Sequence, residues 1–166
     1  MVNKMIRIAK QQDLADIVNI YNESIPGRMA TADTRPILIE SRLAWFDKHT
    51  YQRPLWIHEK NNEITGWLGL QSFYDRPAYQ ETVEMSVYIK NKFKQQGIAK
   101  NLMVHMLEEC PKLNIKTILS FVFSHNIPSI NLILHFGFQQ WGHLPKVALL
   151  DNLEKDVVIY GLRIKF

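Results

Sequence analysis

The chain has 166 residues, the length of one domain that can bury a substantial core. Apolar residues make up 46% of it and charged residues 22%, so the composition is that of a globular protein and excludes wholesale disorder. The 20 basic residues exceed the 16 acidic ones, for a net charge of +4, but they form no Lys- or Arg-rich block. We therefore expect a single domain over residues 1–166, with its core at about 5–164, and no nucleic-acid partner.

The same composition bears on compartment and on metal binding. The apolar runs are too short to span a bilayer, and residues 1–10 lack the apolar segment of a secretory signal. The single cysteine, Cys110, cannot form an intramolecular disulfide, and we expect it to be a buried thiol. The scattered histidines do not have the spacing of a zinc site. We expect a cytoplasmic protein with no membrane partner and no metal.

Residues 5–49 are predicted to form one strand and two helices. Alternation at Met5–Ala9 indicates a short strand, and the spacing of apolar residues indicates a helix at Asp13–Ser24. The polar segment Ile25–Arg35 contains Pro and Gly and is predicted to be a loop. Thr34 then has the position of an N-cap for a second helix, which should end near His49.

The next residues are predicted to form three strands of a sheet. Leu55–Lys60 and Ile64–Phe73 flank two asparagines, a pattern typical of a β-hairpin. A loop at Tyr74–Gln80 leads to Thr82–Ile89, where polar and apolar residues alternate. Neighbouring side chains of a strand point to opposite faces. The polar face of this strand consists of Thr82, Glu84, Ser86 and Tyr88.

The rest of the chain is predicted to alternate helices with strands. In chain order, these are a helix, a strand, a helix and two strands: Gly97–Cys110, Ile115–Phe123, Pro128–Phe136, Phe138–Trp141 and Val157–Ile164. Gly137 is a helix C-cap, and Asp151–Lys155 is the region of the last turn. The order β-α-α-β-β-β-α-β-α-β-β indicates an α/β (α+β) domain with a mixed sheet flanked by helices.

A candidate anion site lies where the strand Thr82–Ile89 is followed by a polar loop and a helix. Gly97, Ile98 and Ala99 open that helix, whose first N–H groups have no partner inside the helix and lie at the positive end of its dipole. Such a site suits a pyrophosphate. The segment is neither a P-loop nor a GxGxxG motif, and an ordinary strand-to-helix turn is the alternative interpretation.

Glu84 is a candidate general base. A carboxylate in the middle of a sheet is costly unless it faces a polar cleft or has a partner. A partly desolvated Glu can accept the proton of an amine, directly or through a water. The alternative interpretations are a solvated sheet face and an ion pair with a base such as Arg76.

Two further groups are candidate binding residues. Asn126 and Ser129 can cap the helix that follows them and can also face a ligand over the neighbouring helix start. Arg76 lies in a Pro-containing loop between two strands, and its guanidinium matches a carboxylate. The alternative for Arg76 is a surface residue of a hairpin loop.

Several stretches resemble one known superfamily when they are taken in order. They are Tyr21-Asn22-x-x-Ile25, Thr31-Ala32-Asp33-Thr34, Arg76-Pro77-Ala78-Tyr79, Glu84-x-Ser86-Val87-Tyr88-Ile89, Lys94-Gln95-Gln96-Gly97-Ile98-Ala99, His125-Asn126-x-Pro128-Ser129 and Gly137-Phe138. Together they resemble the GNAT acetyltransferases. Within that superfamily the chain is similar to the phosphinothricin acetyltransferase group, which includes enzymes that acetylate methionine sulfoximine and methionine sulfone.

The resemblance implies a sheet that splays after the Glu84 strand and admits acetyl-CoA. The pantetheine arm is expected beside Val87, Tyr88 and Ile89. The pyrophosphate is expected on the loop and helix start. That cofactor set is Lys94, Gln95, Gln96, Gly97, Ile98, Ala99 and Lys100, with Asn126 and Ser129 nearby.

The resemblance also implies the reaction. Glu84 matches the family's general base, and the amine of a small amino-acid-like substrate attacks the thioester directly. Arg76, Tyr79 and Thr31 match positions expected near that substrate. Members of the group are commonly dimers, so a homodimer is expected.

The chain departs from the family pattern at three places. Lys94 and Gln95 stand where the family usually has Arg or Gln and then Gly. Ile133 occupies the position of a tyrosine that protonates the departing thiolate in many members, and Leu150-Asp151-Asn152 replaces a Lys-His-Gly stretch. Two alternative functions stay open, an N-acetyltransferase of proteins or peptides and a non-catalytic acyl-CoA-binding module.

Overall fold

The computed structural model describes residues 5–166, so the predictions for residues 1–4 lie outside the described residues. This part of the chain contains seven strands and four α-helices. They are β1 (Ile6–Ile8), α1 (Leu14–Ser24), α2 (Leu43–Asp47), β2 (Leu55–Lys60), β3 (Glu63–Ser72), β4 (Thr82–Ile89), α3 (Ile98–Glu109), β5 (Thr117–Phe123), α4 (Ile127–His135), β6 (Gln139–Leu150) and β7 (Leu153–Arg163). Their order is the predicted one.

The strands form one mixed, mostly antiparallel sheet in the order β1-β2-β3-β4-β5-β7-β6. Only the central pair, β4 and β5, is parallel. That pair is short, because Thr82–Glu84 lie opposite Thr117–Leu119 and the strands are unpaired beyond this point. The sheet therefore opens after Glu84, which confirms the predicted splayed architecture.

Two buried clusters cover the two faces of the sheet. On one face, Leu102, Met103 and Met106 of α3 pack with Val83 and Met85 of β4. On the other face, α1 packs its apolar side on β2 and β3 through Ile17, Ile20, Leu55, Ile57 and Trp67. Since side chains alternate along β4, this second face also receives Glu84, Ser86 and Tyr88.

The second predicted helix begins later than the sequence pattern indicated. Thr34 caps no helix, and helical turns start only with a 3₁₀ turn at Ile39–Arg42 that leads into α2. The preceding segment is irregular, and the side chain of Asn22 donates to Ile37 O at 3.0 Å and accepts from Ile37 N at 2.9 Å. These bonds replace the first turn of the expected helix.

The last hairpin is longer than predicted. β6 and β7 continue to a two-residue turn in which Asp151 and Asn152 have φ of 49° and 64°, so Glu154 and Lys155 lie in a strand and not in the turn. Most residues of β6 are exposed. Because neither face of this strand is buried along its length, its sequence does not alternate between polar and apolar residues. The ladder is also irregular between Leu144 and Ala148, as expected at a proline. The exposed hairpin therefore has no pattern that marks it as a strand pair.

Candidate active site

A cavity of about 730 Å3 occupies the opening between β4 and the start of α4. Eleven of the twelve predicted cofactor residues line it. They are Val87, Tyr88, Ile89, Lys94, Gln95, Gly97, Ile98, Ala99, Lys100, Asn126 and Ser129. Gln96 is the exception, and its side-chain amide donates to Lys92 O at 3.3 Å. The structure therefore brings together residues as far apart in the sequence as Val87 and Ser129.

The backbone of β4 presents unpaired groups to this cavity. Thr82 O accepts from Phe73 N at 3.4 Å and Lys90 N donates to Thr65 O at 2.8 Å. Because alternate residues of an antiparallel pair exchange both hydrogen bonds, the even-numbered residues of β4 bond to β3. The odd-numbered Val87 and Ile89 turn their N–H and C=O groups toward the opening, where β5 no longer pairs with β4. An extended ligand can occupy that place.

The start of α3 forms a concave surface of backbone N–H groups. Gly97 has a φ of 81°, and a Cβ built on it meets no atom within 4 Å. Gln95, in the family's usual glycine position, adopts the left-handed region as well, with a φ of 61°. Within residues 5–166, the N–H groups of Ile98, Ala99 and Lys100 find no acceptor. Unpaired amides at a helix start suit a phosphate group.

A strap, which we define as Arg28–Ala30, crosses the opening and was not foreseen from the sequence. Tyr88 of β4 donates its hydroxyl to Ala30 O at 3.0 Å. From the other side, Asn126 Nδ2 donates to Met29 O at 3.0 Å, and His125 Nε2 lies 2.8 Å from Arg28 O. Three side chains thus hold three successive carbonyls and join the two halves of the open sheet.

Asn126 is committed to these internal bonds. Its Oδ1 accepts from the backbone N–H of Ser129 at 3.3 Å, as an N-cap of α4, and its Nδ2 also donates to Ser129 Oγ at 3.1 Å. The capping interpretation is confirmed for Asn126, whereas Ser129 lies within the first turn of α4. Asn126 therefore positions the strap and α4 at the edge of the cavity.

Glu84 lies at the point where β4 and β5 separate. It is opposite Leu119 in the last residue pair of the parallel ladder and opposite Gln71 on β3. Its carboxylate is half-buried and makes no hydrogen bond or ion pair with the chain from residue 5 onward, so the ion pair with Arg76 considered above does not form. Burial raises the pKa of Glu84. A partly desolvated carboxylate with free lone pairs can accept a proton from a ligand.

A second cavity of about 180 Å3 lies on the same face of β4 as Glu84, under α1 and α2. Its walls are mostly aromatic, and its polar groups come from one arginine, one histidine, one glutamine and one serine. They are Tyr21, Trp45, Trp67 and Tyr88, with Arg42, His49, Gln71 and Ser86. Tyr88 lines both cavities. Neither Arg42 nor Trp45 stood out in the sequence, because no motif joins them to the strand residues they meet.

The three predicted substrate residues occupy different surroundings. Arg76 and Tyr79 lie on the exposed loop that enters β4, and the Arg76 guanidinium bonds to nothing in the described chain. Thr31 is buried, and its hydroxyl bonds to the hydroxyl of Tyr21 and accepts from Asp33 N at 3.2 Å. None of the three forms a hydrogen bond or an ion pair with Glu84.

Other sequence expectations concern residues outside the two cavities. Ile133 is buried in the core at 2% exposure, and Cys110 is a fully buried thiol whose pKa burial raises to about 12. The described residues contain no group of three or more potential metal ligands. None of the helices found in residues 5–166 has the length and apolar character needed to cross a membrane.

Comparison with known proteins gives consistent matches over the length of the chain. The family model of the acetyltransferase (GNAT) domain matches residues 6–156. The chain is 40% identical over 157 residues to "Putative phosphinothricin acetyltransferase YwnH" of Bacillus subtilis, covering 94% of this chain and 96% of that protein. It is 26% identical over 160 residues to the L-methionine sulfoximine/L-methionine sulfone acetyltransferase of Salmonella typhimurium, covering 96% and 94%.

The fold also matches solved structures. The structure of yncA from Salmonella typhimurium, solved with its cofactor acetyl-CoA, superposes with a TM-score of 0.88 at 25% identity and covers 96% of this chain and 93% of that one.

Proposed function

The chain belongs to the GNAT acetyltransferase family, and from that premise we propose that it transfers the acetyl group of acetyl-CoA to the amine of a small amino-acid-like molecule. The relatives named above are described as acting on phosphinothricin, L-methionine sulfoximine or L-methionine sulfone. We assign this class of acceptor to the present chain, with Glu84 as the general base.

The position of Glu84 is the observation that carries the proposal. It lies at the opening of the sheet, on a face that continues into the aromatic cavity, and its carboxylate has no partner in the described chain. An amino acid carries a protonated amine at neutral pH, so the amine must lose a proton before it can attack. Glu84 accepts that proton, directly or through a water, because burial raises its pKa toward the working range of a base.

The cavity between β4 and α4 fits acetyl-CoA. The free backbone groups of Val87 and Ile89 would bind the pantetheine amides, and the N–H groups of Ile98–Lys100 would bind the pyrophosphate. Lys94 and Lys100 add positive charge at the same end. When bound, acetyl-CoA supplies an activated thioester carbonyl. The departing thiolate takes its proton from water in the open cavity, since Ile133 carries none.

The acceptor is proposed to lie between the β3–β4 loop and Glu84. Arg76 has an unengaged guanidinium on the loop that leads into β4, and we assign it to the α-carboxylate of the acceptor. Tyr79 contributes an aromatic wall beside Phe73, with ring centroids 5.8 Å apart. Thr31 acts through Tyr21, whose hydroxyl it fixes at the mouth of the small cavity.

The protein is further proposed to be a cytoplasmic homodimer. The outer part of the β6–β7 hairpin exposes Val147, Leu149 and Leu153 by 56%, 62% and 60%. Val147 and Leu149 are two positions apart on β6 and share one face, whereas Leu153 lies opposite Leu150 on the other face. Exposed apolar side chains near a free sheet edge are typical of a protein–protein contact, and a second copy would cover them. The buried thiol of Cys110 fits a reducing compartment.

The proposal is tested by release of the CoA thiol from acetyl-CoA with purified protein. Acceptors are phosphinothricin, methionine sulfoximine, methionine sulfone, common amino acids, polyamines and short peptides. We expect turnover of one of the amino-acid analogues and a loss of about 10²-fold or more in kcat for Glu84→Gln. Glu108→Gln, an exposed residue of α3, is the matched control and should retain full activity.

Three results would contradict parts of the proposal. Full activity of Glu84→Gln would exclude Glu84 as the base, but the assignment as an acetyltransferase would still hold. Turnover of peptides alone would indicate a protein N-acetyltransferase. Tight binding of acetyl-CoA without turnover of any amine would indicate an acyl-CoA-binding module.

A further inference from the structure

The small cavity has the size of an amino-acid side chain. Its volume of about 180 Å3 is far larger than the roughly 10–15 Å3 that a cavity needs to hold one water. The rings of Trp45 and Trp67 meet edge to face at 5.5 Å, and Trp67 lies 4.9 Å from Tyr88, so the walls are rigid. Trp67 is fixed further by a hydrogen bond from its Nε1 to Ile17 O at 3.0 Å. The cavity can therefore take a compact group between fixed aromatic walls.

Arg42 is the cation that lines this cavity. Its guanidinium stacks on the ring of Tyr21 at 5.1 Å and on that of Trp45 at 5.6 Å, so its plane and position are set by aromatic contacts. Its one hydrogen-bonded partner in the described chain is Asp33, at the long distance of 3.5 Å. The Asp33 carboxylate is already engaged by the hydroxyl of Tyr21. Most of the five guanidinium N–H donors are therefore free.

The floor of the cavity continues from Glu84 along the sheet. Gln71 is paired with Glu84 in the β3–β4 ladder, and both Gln71 and Ser86 line the cavity. Glu84, Ser86 and Tyr88 share one face of β4. A molecule whose amine lies at Glu84 can thus extend its side chain past Gln71 and Ser86 toward Arg42.

We propose that this cavity binds the side chain of the acceptor and that Arg42 donates hydrogen bonds to an oxygen-bearing group at the end of that side chain. This inference rests on the proposed function, because it assumes that the acceptor amine lies at Glu84. The ligand class is an amino acid with a compact side chain that carries an oxyacid, sulfone or sulfoximine group. Arg76 and Arg42 then hold the two ends of one molecule, on opposite sides of the reacting amine.

Two acceptors that differ only in terminal oxygens test the proposal. L-Methionine sulfone carries two oxygens on sulfur, and L-methionine carries none. We expect the wild type to favour the sulfone in kcat/KM by tenfold or more, since hydrogen bonds from a charged donor are strong. In Arg42→Met the sulfone should lose that factor through KM, while methionine changes by less than about threefold.

Two further variants separate binding from structural support. Arg42→Lys keeps the charge and should recover part of the preference for the sulfone. Arg35→Met removes an exposed arginine without a hydrogen bond in the described chain, and should behave as wild type. The KM for acetyl-CoA should stay unchanged in all three variants. An equal loss on both acceptors in Arg42→Met, or no loss on either, would overturn the role of Arg42.

A binding measurement keeps this test independent of turnover. Trp45 and Trp67 line the cavity, so titration with methionine sulfone in the absence of acetyl-CoA should change the tryptophan fluorescence of the wild type and much less that of Arg42→Met. Binding without turnover would contradict the proposed function and support the cavity assignment. Turnover with the same fluorescence response in both proteins would contradict the cavity assignment alone.

Discussion

The hydroxyl of Tyr88 donates a hydrogen bond to the carbonyl of Ala30 at 3.0 Å and so ties the central strand β4 to the strap. Burial raises the pKa of Tyr88, so the hydroxyl stays protonated at neutral pH and remains a donor. Its ring lies between the cleft assigned to acetyl-CoA and the aromatic cavity. Tyr88 therefore couples the position of the strap to both binding spaces.

Replacing Tyr88 by Phe should weaken the strap and leave the ring contacts in place. The ring contacts with Tyr21 at 5.1 Å and Trp67 at 4.9 Å are kept, and one hydrogen bond of about 1 kcal/mol is lost. We expect Tm to fall by about 2–4 °C and KM for acetyl-CoA to rise. Thermal unfolding and initial rates measure the two effects. The control Tyr51→Phe, at a tyrosine that is 79% exposed, should change neither Tm nor KM. An unaltered KM in Tyr88→Phe would contradict this role of the strap.

Asn126→Asp isolates the bond from Asn126 to the strap. Asp retains an oxygen that can cap α4 through Ser129 N, and it can accept from the Ser129 hydroxyl in place of the bond that Nδ2 donates, but it cannot donate to Met29 O. Leaving that carbonyl without its donor and beside a carboxylate should lower the free energy of unfolding by about 1–3 kcal/mol. Denaturant titration checks the stability, with Asn19→Asp on the exposed side of α1 as a control for the added charge. Equal stability of the two variants would show that the strap bond contributes nothing.

Gly97→Ala tests the backbone at the start of α3. The added methyl group meets no atom within 4 Å, so its cost comes from the φ of 81°, about 1–2 kcal/mol for an L-residue. The methyl group also occupies open space where the phosphate would approach, and we expect KM for acetyl-CoA to rise. Gly27→Ala is the control, because its Cβ makes one ordinary contact at 3.7 Å with Ser24 O. An unchanged Tm and KM in Gly97→Ala would exclude both effects.

The pH dependence of turnover should report the ionisation of Glu84. Burial raises its pKa, so the acid limb of kcat/KM should lie above the ordinary Glu value of about 4.3, and rates should fall as the carboxylate is protonated. The folded protein binds this proton more tightly than the unfolded chain. Stability therefore declines as pH rises from the ordinary pKa through the raised one. Glu84→Gln should remove both the acid limb of kcat/KM and this decline in stability. If the acid limb persists in the residual activity of the variant, another group is responsible for it.

Much of the fold could be predicted because its signals are local. The bounds of β4 follow from strict alternation, and the β2–β3 turn follows from Asn61 and Asn62, which adopt φ of 52° and 62°. The start of α2 could not be found in this way, because Asn22 holds Ile37 across 15 residues of sequence. The capping pattern at Thr34 therefore does not start a helix, because the bonds between Asn22 and Ile37 form instead.

The candidate site was predictable only where a motif carries it. The residues of the loop and helix start around Gly97 follow one another in the chain, and so their placement at one cleft followed from the resemblance. The aromatic cavity joins Tyr21, Arg42 and Ser86 from three separate elements. The spacing of these residues in the sequence does not predict that they lie close together, since their proximity depends on how α2 packs over the sheet.

The exposed hairpin of β6 and β7 should determine the oligomeric state. β6 pairs only with β7 in the described sheet, so its outer edge is free, and Leu149 near the turn is 62% exposed. Leu149→Glu places a charge in the proposed contact at no cost to a folded monomer. Light scattering should give twice the mass of one chain for the wild type and the mass of one chain for the variant. Val104→Glu, at a 46% exposed position of α3, should remain dimeric, and a wild type that is monomeric at high concentration would contradict the dimer.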